Sequence, residues 1–340
     1  MLLPCSDDWA RQVAACPTEF RDRFPSSVAS PATMDVLVDK ARLSDHLVRL
    51  GVPHPLTVLL DGPESLASLS SDVLEGAFLK PHDSQRFFAR FGVKGMQVAS
   101  REDAEERLTR IRDAGLDVLL QQYVPGPGSL HYFVDGFIDR NGSMAGVLAR
   151  RRLRMYPLDF GNSSYVVTVP PEEAADAIES LRVLLDDLDF RGIFSAEFKQ
   201  DPRDGVFRLI EVNARAWWYV EFTARSGVDV CLMAYRDALG EPVPMARSYQ
   251  VGARLVYPYY DFFACREDRE GGNPSIPRGF RAWMGAQQPL FNWSDPWPAV
   301  REFGALTRRL SRGVPPRVAA SVAPRNAVSP SGVPEGSPSS

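Results

Sequence analysis

Apolar residues recur along the chain in two spacings, one typical of helices and the other typical of strands. Leu43 and Leu47 lie at helical spacing after Asp39, a suitable N-cap, and this helix is predicted to end at Gly51. A second helix is predicted over residues 171–188, which begin with a proline and two acids. Strand-like runs lie at residues 76–81, 117–124, 131–139, 146–156, 192–200 and 205–218. This mixture predicts an α+β fold with mostly antiparallel sheet.

The last of these strands carries polar residues where apolar ones would be expected. The segment FRLIEVNARAWW, residues 207–218, contains Glu211, Asn213 and Arg215. Strict alternation would place all three on one face of the strand, together with Phe207. Burial of an unpaired carboxylate is costly, so we expect a compensating group opposite this face.

The preceding strand supplies a second carboxylate at the same level of the sheet. The sequence DPRDG, residues 201–205, predicts a three-residue loop that ends at Gly205 in the left-handed conformation. Glu197 would then lie directly opposite Glu211, and like charges in that arrangement destabilise a sheet. A divalent cation would remove the repulsion, because two carboxylates and the Asn213 amide are ligands that suit Mg²⁺. A solvated sheet face without a metal is the alternative that the hairpin alone leaves open.

Composition excludes several other functional classes. The chain has 340 residues and a formal net charge of −4, which gives no general attraction to nucleic acid or to anionic membranes. No apolar stretch approaches the roughly 18 residues of a membrane span, and the N-terminus lacks the features of a signal peptide. The 4 cysteines are far apart and there are only 4 histidines. These counts argue against a zinc site or a disulfide scaffold and favour a cytoplasmic location.

Six short motifs occur in the order in which a known superfamily has them. They are DK with GVPHP, then FLKP, LLQQYVPG, RRRLRMYP, SAEF and LIEVNAR, and they span roughly residues 39–240. Each is weak alone, but six in order with suitable spacing are a strong signal. By these motifs the chain resembles the ATP-grasp superfamily, in particular its branch of predicted carboxylate–amine ligases near carbamoyl-phosphate synthase and biotin carboxylase. The resemblance implies two α+β subdomains that enclose the nucleotide.

The resemblance also implies nucleotide-binding residues. Lys40, at a helix start, and Lys80, at a strand end, would bind the phosphates of ATP. Gln121 would bind the adenine amino group, and the backbone of Gln122 and Val124 would complete recognition of the purine edge. The residues alone also allow simpler interpretations: a solvated helix start for the first lysine, and an ordinary strand and turn for the hinge.

The metal ligands and the residues that hold the reacting groups are implied in the same way. Glu197, Glu211 and Asn213 would bind Mg²⁺, with Mn²⁺ as an alternative. Arg215 would hold the acyl phosphate or the carboxylate. Arg154, chosen among the four arginines of ARRRLRMYP, would face the transferred phosphate. A charged, solvated edge strand is the alternative interpretation of those arginines.

The implied reaction joins a carboxylate to an amine through an acyl phosphate and releases ADP and phosphate. Its partners would be small-molecule carboxylate and amine substrates, without nucleic acid or membrane, and a homodimer is left open. Two rival functions are a MgATP-binding regulatory protein that has lost turnover and an ATP-grasp kinase or ligase with a non-amine acceptor. Retention of the two glutamates, Asn213 and Arg215 favours catalysis.

Four segments are predicted. Residues 1–38 would be a shortened remnant of the N-terminal domain of the family, and residues 39–247 would form the ATP-grasp domain. Residues 248–308 would be a family-specific extension and residues 309–340 a disordered tail, because the tail contains almost no large apolar groups.

One departure from the family pattern concerns the ribose. Many relatives place a glutamate on the ribose hydroxyls soon after the hinge. The corresponding position here is Gly128, so Ser129 or His131 is a candidate substitute.

Overall fold

A computed structural model describes residues 1–62, 64–81, 84–93, 95–158, 161–267, 281–292 and 294–311. The predicted tail, residues 309–340, lies outside this part of the chain except for its first three residues. The helices described are α1 (Asp7–Ala14), α2 (Thr18–Arg21), α3 (Pro31–Val38), α4 (Lys40–Leu50), α5 (Glu64–Ala67), α6 (Ser71–Leu74), α7 (Ser84–Phe91), α8 (Arg101–Asp113), α9 (Ala175–Asp187), α10 (Glu221–Arg225), α11 (Val230–Ala238), α12 (Pro258–Arg266) and α13 (Trp297–Ser311). The strands are β1 (Thr57–Leu59), β2 (Phe78–Pro81), β3 (Met96–Gln97), β4 (Val118–Gln121), β5 (His131–Ile138), β6 (Met144–Tyr156), β7 (Asn162–Thr168), β8 (Gly192–Gln200), β9 (Phe207–Asn213) and β10 (Arg254–Val256).

The larger of two sheets is antiparallel and has the strand order β10–β7–β6–β5–β8–β9. Helices α3, α4 and α9 contribute Leu37, Leu47 and Leu184 to a core cluster that also contains Phe194 and Phe198 of β8. These two phenylalanines alternate with polar side chains along β8, so the opposite face of the strand is left for chemistry.

The smaller sheet is also antiparallel, with the order β1–β4–β2–β3. It has a core of its own, in which Leu66 of α5, Phe87 of α7 and Leu108 of α8 pack against Leu120 of β4. Two antiparallel sheets, each with its own helices, confirm the predicted α+β class. Within the described part of the chain, no helix has the length and apolar composition needed to cross a membrane.

Helix α4 forms as its sequence predicts. The Asp39 side chain accepts hydrogen bonds from the backbone N–H groups of Ala41 and Arg42, and Gly51 ends the helix at a φ of +66°. The second predicted helix is a 3₁₀ turn, Pro171–Ala174, followed by α9. The cap at Asp39 fixes the position at which Lys40 enters the helix.

The β8–β9 hairpin confirms one register and corrects two details. Glu197 does lie opposite Glu211, and Gly205 has a φ of +76° as predicted. However, the loop is one residue longer than the three-residue loop predicted, since Asp201 pairs with Val206 through its backbone N–H. A bulge at Ile210 then restores the register between Glu197 and Glu211.

The same bulge changes the faces of β9. Strict alternation placed Phe207 on the face of Glu211, but Phe207 belongs to the core cluster together with Val212 and Ala214. The extra residue reverses the alternation, so the apolar side chains on both sides of the bulge point into the core. The strand also ends at Asn213, and Arg215 therefore lies just beyond it.

The N-terminal segment is part of the main core. Ala10 of α1 and Met34 of α3 belong to the same cluster as Phe194. The segment passes so close to the start of β8 that a Cβ atom added at Gly192 would lie 3.0 Å from the backbone oxygen of Ser27. Residues 1–38 therefore stabilise the sheet that carries Glu197.

The C-terminal extension is held to the large sheet by a buried ion pair. Asp261 of α12 is fully buried and accepts two hydrogen bonds from Arg154 of β6, at 2.8 and 2.6 Å. Ser164 and Trp283 donate to the same carboxylate, at 2.9 and 2.7 Å. The Asp261 carboxylate therefore accepts four hydrogen bonds. A buried charge is tolerated when it is paired and hydrogen-bonded in this way.

We expect Asp261→Ala to lower the free energy of unfolding by about 3–5 kcal/mol, because Arg154 would keep a buried charge without its partner. Urea denaturation measures this loss. The control is Asp187→Ala, which removes the two-point ion pair with Arg49 at 3.1 and 2.7 Å on the surface and should cost much less. Equal losses in the two variants would show that the extension is not clamped by Asp261.

Candidate active site

The predicted metal ligands lie together on the side of β8 and β9 that faces away from the main core. Glu197 is opposite Glu211, and Ser195 is opposite Asn213. The Asn213 side chain donates from Nδ2 to Glu211 Oε1 at 3.2 Å. Glu211 is exposed, whereas the side chain of Glu197 is 16% exposed. The pair therefore offers one enclosed carboxylate and one open carboxylate.

Two residues from neighbouring strands stabilise the ionised form of Glu197. His131 Nδ1 lies 2.5 Å from Glu197 Oε1, and Arg152 Nη2 donates to the same oxygen at 3.2 Å. Burial alone would raise the pKa of Glu197, but the charge of Arg152 and the bond to His131 outweigh it and bring that pKa below its usual range. Both contacts use Oε1, so Oε2 accepts no hydrogen bond from the residues that the structure describes.

His131 is neutral in this arrangement. Burial and the charge of Arg152 lower the pKa of its imidazole to about 4, so the ring carries no charge at pH 7. Because Glu197 is ionised, we infer that the Nδ1–H donates to it and that Nε2 keeps a lone pair. His131, one of the two candidate ribose substitutes beside Ser129, thus binds Glu197 through Nδ1. At Gly128 itself a Cβ atom would lie 2.7 Å from Met155 Sδ, so a side chain there would require the methionine side chain to shift.

Lys80 reaches the glutamates from the smaller sheet. It lies at the end of β2, and its Nζ donates to Gln121 Oε1 at 2.5 Å. Burial lowers the pKa of Lys80, the charges of Glu211 and Glu197 act in the opposite direction, and Lys40 adds to the lowering. The structure therefore brings Lys80 into electrostatic range of Lys40, Glu197 and Glu211, although the four residues belong to different elements.

The hinge between the sheets has free backbone groups where the purine edge was predicted to bind. The N–H of Gln122 donates to the Leu56 carbonyl at 2.8 Å. Among the described residues, nothing pairs with the carbonyl of Gln122 or with the N–H of Val124, whose side chain is 4% exposed. An enclosed backbone donor and a nearby acceptor without partners are what a bound heterocycle would satisfy.

The side chain of Gln121 has a different position from the one predicted. Its Oε1 accepts from Lys80, and its Nε2 donates to Thr57 Oγ1 at 3.2 Å. The side-chain amide is therefore engaged by two protein groups, and the binding of the adenine amino group by Gln121 stays a prediction. Its role in this structure is to orient Lys80.

Each arginine of the β6 run has its own acidic partner. The guanidinium of Arg154, the arginine predicted to face the phosphate, is bound to Asp261 in this structure. The register of β6 against β7 shifts between Arg152 and Arg154, so the two side chains do not share partners. Arg152 is the member of the run that reaches the glutamates. The pairs are Arg150–Asp135, Arg151–Glu173, Arg152–Glu197 and Arg154–Asp261.

Arg215 forms a two-point ion pair with the N-terminal helix. Its Nε and Nη2 donate to the carboxylate of Asp7 at 2.7 and 3.3 Å, and Nη2 also donates to Asn213 Oδ1 at 2.8 Å. A chain of contacts thus runs from Asp7 through Arg215 and Asn213 to Glu211. Nothing in the sequence pattern linked Asp7 to this site, since the two partners are 208 positions apart.

A cavity of about 300 Å³ lies next to Lys40. It is bordered by the N-terminal segment on one side and by the ends of β2 and β4 on the other. Most of its lining side chains are charged, so it suits a polar, charged small molecule. The lining residues are Arg11, Asp35, Val38, Asp39, Lys40, Arg42, Pro81 and Leu119.

The donor set fits Mg²⁺. In the described part of the chain, no group of three or more His, Cys, Asp and Glu side chains could hold a metal alone. Mg²⁺ does not need such a group, because it keeps several waters and takes ligands from substrate phosphates. Glu211, Asn213 and the free Oε2 of Glu197 are hard oxygen donors that would complete such a shell.

The chain is similar to known proteins in sequence and in fold, although no family model matches it. It is 21% identical over 245 residues to a D-aspartate ligase of Enterococcus faecium, and the match covers 70% of this chain and 58% of that protein. It is 22% identical over 223 residues to the C-terminal section of the carbamoyl phosphate synthase large chain of Methanopyrus kandleri, which covers 63% of this chain and 39% of that protein. The chain thus spans less than two thirds of either relative.

A solved structure supports the fold. The biotin carboxylase domain of the Hydrogenobacter thermophilus 2-oxoglutarate carboxylase, a dimer in complex with MgADP, ADP and bicarbonate, matches with a TM-score of 0.54. It is 17% identical, and the match covers 67% of this chain and 51% of that chain. The likeness confirms the fold that the six motifs predicted.

The contact between Gln121 and Lys80 leads to a stability prediction. We expect Gln121→Met to lower the free energy of unfolding by about 1–3 kcal/mol, because an enclosed ammonium would lose its acceptor. Urea denaturation without ligand measures it. Gln122→Met is the matched control and should show no such loss. If both variants are as stable as the parent chain, Gln121 does not hold Lys80.

Proposed function

We propose that this chain, a member of the ATP-grasp superfamily, is an ATP-dependent ligase that joins a carboxylate to an amine through an acyl phosphate. The observation that carries the proposal is the position of Lys80, which lies within electrostatic range of Lys40 and of the facing pair Glu197 and Glu211. Two cations and two carboxylates in one cleft are suited to a polyphosphate with its metal. The names of the two relatives, a ligase and a synthase, support the same reaction class.

ATP and Mg²⁺ are the proposed cofactors, with Mn²⁺ as a substitute. The solved relative that binds MgADP supports this choice. The lysines would bind phosphate oxygens, and the free backbone groups of Gln122 and Val124 would bind the base. Bound Mg²⁺, held by Glu197, Glu211 and Asn213, would offset the negative charge of the phosphates.

Arg215 is the proposed anchor of the substrate carboxylate. Its contact with Asp7 shows that a carboxylate fits it with two hydrogen bonds, beside Asn213. A substrate would take the place of Asp7, which is on the surface and partly exposed. The charged cavity beside Lys40 is the proposed route or site for the second substrate.

The mechanism needs no covalent enzyme intermediate. The side chains proposed to bind the nucleotide, the metal and the substrate are cations, carboxylates and an amide, and none of them is a Ser or Cys nucleophile. Their proposed work is to position the carboxylate in line with the terminal phosphate and to stabilise charge during transfer. The phosphoryl group would therefore pass directly to the carboxylate, with ADP as the nucleotide product. A homodimer and a cytoplasmic location remain predictions.

The test is a screen of amino acids and small carboxylic acids, with D-aspartate among them, scored for ADP and hydroxamate together. With the right acid, hydroxylamine should intercept the acyl phosphate, so both products should appear in equal amounts. Lys80→Met should abolish both. AMP and pyrophosphate would contradict the mechanism, since they indicate adenylation. ADP without hydroxamate would favour a kinase, and MgATP binding without ADP release would favour the regulatory alternative.

A further inference from the structure

Lys199 is a buried cation that the proposed chemistry leaves unused. It lies on β8 two residues after Glu197, on the same side of the strand, and pairs with His131 and Arg208 of the adjacent strands. Its relative exposure is only 6%. Lysine side chains are rarely buried to this extent without a partner, so its position needs an explanation.

Within the described residues, the ammonium of Lys199 has no hydrogen-bond acceptor and no ion pair. Its one close polar contact is the ring of Tyr123, whose centroid lies 4.8 Å from Nζ. An aromatic face attracts a cation but does not accept its three N–H donors as an oxygen or nitrogen would.

An unsatisfied, buried donor is costly, and in folded proteins such a group usually has a partner. Among the described residues, the negative charges of Glu197 and Asp201 attract the ammonium of Lys199, but neither carboxylate accepts a hydrogen bond from it. The carboxylate of Asp201 accepts instead from Arg203 and forms an ion pair with Arg208. The missing acceptor is therefore expected to arrive with a ligand.

The position of Lys199 indicates which part of a nucleotide it faces. Tyr123 lies between Gln122 and Val124, whose backbone groups are the unpaired ones of the hinge. Along β8, Lys199 is roughly 6.6 Å from Glu197 and on the far side from Ser195 and its neighbour Asn213. Lys199 is thus displaced from the metal ligands toward the hinge, where the nucleoside would lie and the terminal phosphates would not.

We propose that Lys199 is a nucleotide-binding residue whose ammonium donates a hydrogen bond to an acceptor atom of the nucleoside, in the base or in the ribose. The assignment rests on the proposed function, because it assumes that a nucleotide occupies the cleft between the hinge and the glutamates. Tyr123 holds the side chain in place before the ligand arrives. Because Lys199 is already largely enclosed by the protein, ligand binding would add a hydrogen bond at little further cost of desolvation.

The test compares MgATP with magnesium tripolyphosphate, which has the phosphates but no nucleoside. Lys199→Met keeps the length and apolar stem of the side chain and removes its charge. We expect its Kd for MgATP, from isothermal titration calorimetry, to rise at least about tenfold, as for the loss of a hydrogen bond to a charged group. Its Kd for magnesium tripolyphosphate, measured directly, should stay within about twofold of the parent value.

Two further measurements separate a binding role from a structural one. Arg208→Met, the matched control on the facing strand, should leave both Kd values unchanged. The melting temperature of Lys199→Met without ligand should be close to that of the parent chain, because the ammonium makes no hydrogen bond within the described residues. Lys199→Gln serves as the second variant if the methionine variant does not fold.

The outcomes distinguish this inference from the proposed function. If the parent chain binds MgATP and Lys199→Met binds it equally well, Lys199 is not a contact and the inference is wrong. Equal losses for MgATP and tripolyphosphate would place Lys199 on the phosphates and would also overturn it. If the parent chain binds no MgATP at all, the proposed function fails, and the inference fails with it.

Discussion

Two carboxylates of like charge face each other across the β8–β9 hairpin, and the arrangement of the surrounding cations follows from that constraint. Glu197 is enclosed, so it receives direct contacts from Arg152 and His131. Glu211 is exposed and is contacted only by Asn213 among the described hydrogen-bond partners. Repulsion between paired carboxylates destabilises a sheet, so a hairpin with this register is best explained by a function that uses the pair. An enclosed and an open carboxylate together suit a hydrated cation that is shared with a substrate.

The cleft depends on contacts between distant parts of the chain. Lys80 arrives on the smaller sheet, which has its own core, and Gln121 holds it in position. The larger sheet carries the glutamates and takes part of its core from the N-terminal segment. That segment also supplies Asp7, the present partner of Arg215. The hinge at residues 122–124 follows β4 of the smaller sheet, and it is also where unpaired backbone groups lie.

Local chemistry made much of this structure predictable from the sequence. The cap at Asp39, the left-handed Gly205 and the pairing of Glu197 with Glu211 all follow from short-range rules. The bulge at Ile210 could not be predicted in this way. Strict alternation assumes that no residue is inserted, and an inserted residue reverses the face of every residue beyond it.

The sequence also did not reveal which groups the polar side chains bind. Arg154 was assigned to a phosphate, but Asp261 binds it across 107 positions of sequence, and Arg152 takes the place near the glutamates. Gln121 was assigned to adenine, but it binds a lysine 41 positions away. Polar and apolar patterning gives the face of a side chain, whereas the identity of its partner depends on tertiary contacts that patterning does not encode.

The central claim is that Glu197 and Glu211 together hold the metal of a bound nucleotide. The most direct measurement is the change in melting temperature that MgATP produces in the parent chain and in Glu211→Gln. The account predicts that MgATP raises the melting temperature of the parent chain, that the variant loses most of this rise, and that the variant without ligand is at least as stable as the parent, because one of two repelling charges is gone. An undiminished MgATP-induced rise in Glu211→Gln would contradict the account.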